Sequence, residues 1–254
     1  MDIYLQGILW VLGAAIVSGG LTALLHRRTS GDGRSIGNEA TSAVFTIVAG
    51  LHAVLVAFVL ISLFDATNAA HDGAQQEANA LVAVTWAGDS LPDPTKSKIH
   101  ELARRYATTV RDQEWPQMRQ EQAVTGPGAQ QLAQLHDAIT EAASTDDEWL
   151  KDRKTEAANQ LWTVYQARQT RLDAADGSGV NTVVWLALII GALMSVAFAY
   201  LFGGTRIIRH VLTVALFAAT ITLVLYAIYQ MQSPFTGGAN VDPEAFSDAL
   251  SRLS

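Results

Sequence analysis

Four long apolar stretches, two on each side of a polar middle segment, organise this chain. They run Ile3–Leu25, Ala40–Phe64, Val180–Phe202 and Ile207–Met231. Each is long enough to cross a bilayer, because a hydrocarbon core of roughly 30 Å takes about 20 apolar residues at 1.5 Å rise. Apart from scattered Ser and Thr, Gln6, His52 and Asn181 interrupt their apolarity, and Arg209, His210 and Gln230 lie near the ends of the fourth. The pattern predicts an all-α integral membrane protein with four transmembrane helices and a helical bundle inserted between spans two and three. Residues 1–64 form the first helix pair, 65–179 the polar bundle, 180–232 the second pair, and 233–254 a short tail.

The middle segment carries helix signals and no strand alternation. The second span is expected to continue to Trp86, with Gly88 through Pro94 ending it. Asp93-Pro94 then reads as a helix start. Ile99, Leu102, Tyr106 and Val110 follow at intervals of three or four, the period of one buried face. Trp115-Pro116 is expected to break that helix, and Gly126-Pro127-Gly128 marks a loop. A further helix uses Leu132, Leu135 and Ile139. Thr145-x-x-Glu148 has the form of a capping box and opens a long helix through Leu161, Val164, Arg168 and Leu172, closed by Asp176–Gly179. After Asp242-Pro243, the tail places Phe246, Ala249, Leu250 and Leu253 on one face of a short helix.

Charge separates the two kinds of segment. The middle, Asp65–Gly179, holds 11 of the 17 Lys and Arg and 18 of the 24 Asp and Glu, a net charge of −7, and the remainder is neutral. An acidic domain is no partner for nucleic acid or anionic headgroups. The short connections carry Arg27, Arg28 and Arg34, and Arg206 and Arg209. Both are therefore expected in the cytoplasm, with the amino end, the middle domain and the tail outside. The first apolar run lacks a positive flank before it and is followed by His26-Arg27-Arg28, so it reads as an uncleaved span and not as a signal peptide.

Chemistry-bearing motifs are missing. The chain has no cysteine, and its six histidines never fall three or four apart, the spacing a helix-borne zinc site needs. Gly31-x-Gly33-x-x-x-Gly37 has the wrong spacing for a phosphate loop, and no nucleophile elbow is present. No metal, cofactor or enzymatic activity is expected.

The spans themselves are more informative. Span three has a small residue at every fourth position, Ala187, Gly191, Ser195, Ala199 and Gly203. Such a row lets another helix approach closely, either within one subunit or between subunits. In span two, Glu39, Ser42, Thr46, Gly50, Ala53 and Ala57 fall near one face, graded from charged through hydroxyl to small. A pore lining has this character. The alternative is that the hydroxyls bond backbone and the small residues pack on a neighbour. His52, on another side of the helix, is an intramembrane ionisable residue and so a functional candidate. Four helices enclose little water, so a conduction path needs several subunits around an axis.

Asn38-Glu39, Glu77-Ala78-Asn79, Leu91-Pro92, Tyr106, Glu114-Trp115-Pro116, Arg168-x-x-Arg171-Leu172 and Leu201-Phe202-Gly203 follow one another along the chain. In this order and spacing, from about Asn38 to His210, they resemble the bestrophin-like domain family of bacteria and plants. The resemblance implies four spans, a helical insert, a bacterial plasma-membrane location and, by the family name, an ion channel. One departure is that family members carry a proline before the tryptophan of the third span, where this chain has Gly179-Val180-Asn181 before Trp185. Within the pattern, Glu77 and Asn79 are expected to face Arg168 and Arg171 on the returning helix as a structural clamp, with Trp115 a core anchor. The function expected is a homo-oligomer conducting ions passively, its partners being further copies of itself, membrane lipid and the permeant ions. The alternative is a non-conducting scaffold or sensor whose outer bundle binds a partner or ligand. Glu39 and the acidic middle domain favour cations, whereas the resemblance implies anions.

Overall fold

The computed structural model describes residues 3–29, 38–142, 147–176, 179–201, 207–238 and 240–253. Among these the secondary structure is helical throughout: α1 (Ile3–Thr29), α2 (Asn38–Gly88), α3 (Thr95–Thr109), a π-helical turn (Val110–Glu114), α4 (Trp115–Arg119), α5 (Gly128–Thr140), α6 (Glu148–Asp176), α7 (Thr182–Leu201), α8 (Ile207–Gln230) and α9 (Glu244–Arg252). Four of them, α1, α2, α7 and α8, are long and apolar enough to cross a membrane. At 51 residues, α2 is more than twice the roughly 20 that a hydrocarbon core takes. The chain divides into two compact units, Met1–Phe64 with Gly179–Gln232, and Asp65–Ser178 with Ser233–Ser254.

The first unit is apolar and held by close approach of helices. The ring of Tyr226 on α8 lies where a Cβ on Gly7 would sit, 2.6 Å from that position, and its hydroxyl donates to the Ile3 carbonyl at 2.5 Å. Tyr200 on α7 donates to the Ser18 carbonyl on α1 at 3.1 Å. Val59 and Leu63 of α2 join Leu188 of α7 and Ile228 of α8 in a buried cluster. Phe45 meets Phe198 and Phe217 edge-on, at 6.3 and 6.1 Å between ring centres. At the start of α7, Asn181 Oδ1 accepts the Val183 N–H at 2.9 Å, and Gly179 turns the chain at φ +131°, a conformation that side chains disfavour. A glycine turn and an asparagine cap thus stand where the resembling family carries a proline.

The second unit buries Leu81 of α2, Ile99 and Tyr106 of α3, Trp115 of α4, Leu132 and Ile139 of α5, and Leu161 and Val164 of α6. Residues 233–253 belong to this core and do not hang free as a tail. Phe235 and Phe246 lie 5.4 and 5.9 Å from the Trp115 ring, whose Nε1 donates to the Val241 carbonyl at 3.1 Å. Two local expectations change. Pro116 does not break the helix, because the Trp115 N–H bonds five residues back to Val110 O and Pro116 enters the first turn of α4, where its missing N–H costs nothing. The helix start at Asp93-Pro94 lies at Thr95, with Asp93 Oδ1 accepting the Ser97 hydroxyl at 2.9 Å. Thr145 lies outside the described residues; the first turn of α6 is capped by Asp147 Oδ1, 3.0 Å from the Trp149 N–H.

Candidate functional site

Two places gather the residues singled out from sequence, one in each unit. In the apolar unit, α2 has three distinct sides at 100° per residue. Phe45, His52, Val59 and Leu63 form the side that packs on α7 and α8. Roughly a third of a turn round lie Ser42, Thr46, Gly50, Ala53 and Ala57, all exposed. A further third of a turn brings Ile47, Leu51, Val54 and Phe58, also exposed and all large. The most apolar stretch of α2 holds no buried residue, unlike those of the other three apolar helices. The Thr46 hydroxyl donates to the Ser42 carbonyl at 2.9 Å, and a Cβ on Gly50 would meet nothing within 4 Å. The Glu39 side chain lies outside the described residues.

The small-residue row of α7 is divided. Gly191 receives the His52 ring of α2, so close that a Cβ would overlap Nδ1. Ser195 is buried, Ala199 is half-buried and Ala187 is exposed, while Gly203 lies outside the described residues. At Gly191 the row packs within the subunit.

In the polar unit, two arginines on successive turns of α6 enter the core. Arg171 is wholly buried; its Nε donates to Glu77 Oε2 at 2.7 Å and its Nη2 to Glu77 Oε1 at 3.1 Å. The same Nη2 reaches Glu114 Oε2 at 2.8 Å. Arg168 Nη1 donates to Glu114 Oε2 at 2.7 Å and to the Tyr106 oxygen at 3.2 Å. The Tyr106 hydroxyl donates to Glu77 Oε1. The Arg171 guanidinium lies 5.8 Å from the ring centres of both Trp115 and Phe246. Two cations and two carboxylates balance, and aromatic faces cover the rest.

The electrostatics follow from this closure. Burial pushes the Glu114 carboxyl up, but the hydrogen bond from Arg168 and the charges of both arginines hold it below the ordinary carboxylate range. Burial alone would make both guanidiniums easier to deprotonate; the facing carboxylates more than reverse that. Burial, followed by the charge of Glu77, drives the Tyr106 phenol well above its usual value. Each charge faces an opposite one and the cluster is almost wholly closed to solvent, so it fastens α2, α3, the π-helical turn and α6 together; of its carboxylate oxygens, Glu114 Oε1 is buried without a hydrogen-bond partner among the described residues.

Of the clamp residues read from sequence, Glu77, Arg168 and Arg171 meet here. Asn79 does not: it is exposed and accepts from Arg252 Nη1 at 3.1 Å. Glu114 and Tyr106 complete the cluster without having been assigned to it. The signal for Glu114 was indirect: two buried arginines need a second carboxylate. Gly128 opens α5 against Glu114 and Arg168, where a Cβ would collide. Among the described residues no cluster of His, Cys, Asp and Glu could hold a metal.

Comparison with known proteins places this arrangement. The family model of the bestrophin-like domain matches residues 12–246. A crystal structure of a membrane protein superposes with a TM-score of 0.69 at 13% identity, covering 99% of this chain and 97% of the other, which shows a shared fold. No curated protein matches the chain.

Proposed function

Since the chain belongs to the bestrophin-like family, we propose that it is a homo-oligomeric ion channel of a bacterial plasma membrane, conducting passively, with the small face of α2 lining the pore. The polar unit in this reading stands outside the cytoplasm, and four transmembrane helices anchor each subunit.

The observation that supports it is the three-sided character of α2. One side packs on the subunit's own helices and two are uncovered. If both uncovered sides met lipid, both would be built of large apolar residues. Instead one carries Ile47, Leu51, Val54 and Phe58, and the other carries Ser42, Thr46, Gly50, Ala53 and Ala57. Small and hydroxylated residues suit a narrow aqueous path or the close approach of a second copy around it. Glu39 would add a carboxylate from each subunit at the cytoplasmic mouth, concentrating cations within a Debye length of about 10 Å at 0.1 M salt. Ion flux through purified protein in liposomes tests the reading. Absence of flux under every gradient would favour a scaffold or sensor whose outer unit binds a partner.

A further inference from the structure

Between α2, α7 and α8 lies a cavity of about 220 Å³. Most of its wall is hydrocarbon, with Val56, Phe217 and Ile221 prominent. Two polar atoms interrupt that wall. Ser195 is 1% exposed, and its Oγ has no hydrogen-bond partner among the described residues. His52 Nδ1 is likewise buried and unpartnered. Both side chains line the cavity. Thr220, also in the wall, donates to the Leu216 carbonyl at 2.9 Å and makes no further demand.

Unpaired polar groups in an apolar interior are costly and are normally satisfied. The Ser195 hydroxyl rotates without moving the backbone, and a half-turn of the imidazole would carry Nδ1 away from Gly191, which it faces in this structure. We infer that the cavity binds a small amphipathic alcohol or phenol, whose hydroxyl pairs with Ser195 Oγ and His52 Nδ1 while its apolar body fills the hydrocarbon wall. A hydroxyl both donates and accepts, so it suits either tautomer of the imidazole. The volume exceeds the 150 Å³ or so of an apolar cavity that takes up benzene. Water would satisfy the two atoms and leave the hydrocarbon wall unfilled; a lipid tail would do the reverse. Only a molecule with both parts does both, and the inference stands whether or not ions pass through the protein.

Photolabelling of the intact purified chain with a diazirine-bearing hexanol tests it, with the hydroxyl-free diazirine hexane as the paired probe. The hexanol is expected to label Val56, Phe217 or Ile221 saturably, to be displaced by unlabelled hexanol or phenol, and to exceed the hexane probe several-fold there. Ser195→Ala is expected to lower that labelling about fivefold, the worth of one hydrogen bond, without changing elution volume. Equal labelling by the two probes would overturn the inference and make the cavity a lipid crevice, a comparison that needs no variant to fold. Labelling that is not saturable, or that Ser195→Ala leaves unchanged, would overturn it equally.

Discussion

Glu77 on α2 and Arg171 on α6, 94 residues apart in sequence, meet through two hydrogen bonds with neither side chain reaching solvent. Such a pair is worth little against an apolar replacement, yet losing one partner strands a buried charge, which typically costs about 3–5 kcal/mol. Glu77→Gln and Glu114→Gln are each expected to lower stability by about that amount in denaturant unfolding of the detergent-solubilised protein. Arg171→Lys is not expected to rescue, because an ammonium cannot span both oxygens of Glu77. A loss below about 1 kcal/mol for either glutamate would mean that the cluster opens to water.

The same cluster sets a pH window. The folded Glu114 carboxyl lies below its ordinary value of 4.5, so its contribution is full above that value and is lost as pH falls further. The folded Tyr106 phenol lies well above 10.0, so its contribution is full below pH 10 and is lost as pH rises beyond it. Unfolding midpoints are therefore expected to be level near neutrality and to fall at both ends. In Tyr106→Phe the alkaline fall is expected to shrink while the acid one stays.

Three glycines in the apolar unit separate close packing from mere tolerance. A methyl on Gly191 would overlap the His52 ring and one on Gly7 the Tyr226 ring, while one on Gly13 would meet nothing within 4 Å. Gly191→Ala and Gly7→Ala are expected to cost about 1–3 kcal/mol through overpacking. Gly13→Ala is expected to be neutral or slightly stabilising. Thermal unfolding in one detergent ranks the three, and equal midpoints would show that these contacts yield without cost.

Much of this was legible from residue patterns because the physics is local. Length and apolarity alone mark α1, α2, α7 and α8, and the buried stripe of Ile99, Leu102 and Tyr106 declares α3. The facing of Glu77 and Arg171 follows from a carboxylate on an outgoing helix and guanidiniums on a returning one. Glu114 was harder to see. A regular α-helix from Tyr106 would carry it off the buried stripe, and only the extra residue of the π-helical turn rotates it back. The packing of Phe235 and Phe246 on Trp115 was also hidden, because it joins segments more than a hundred residues apart through loops that carry no periodicity.

Orientation is tested by single cysteines, made simple by a chain without any. If the basic connections between the spans are cytoplasmic, as proposed, Ser30 is expected inside and Ser144 outside. In intact cells an impermeant thiol reagent is expected to label Ser144→Cys and spare Ser30→Cys. The opposite pattern would invert the arrangement.

The central claim is that the small face of α2 lines an ion path. The most direct measurement is flux through liposomes holding Ser42→Cys, Thr46→Cys, Gly50→Cys, Leu51→Cys or Phe58→Cys variants, before and after a charged methanethiosulfonate reagent. The account predicts flux in the unmodified protein. It also predicts that modification changes this flux at Ser42→Cys, Thr46→Cys and Gly50→Cys and leaves it unchanged at Leu51→Cys and Phe58→Cys, which lie on the large apolar side. Flux that is absent under every gradient, or sensitive at Leu51→Cys and Phe58→Cys but not at Thr46→Cys, would contradict it.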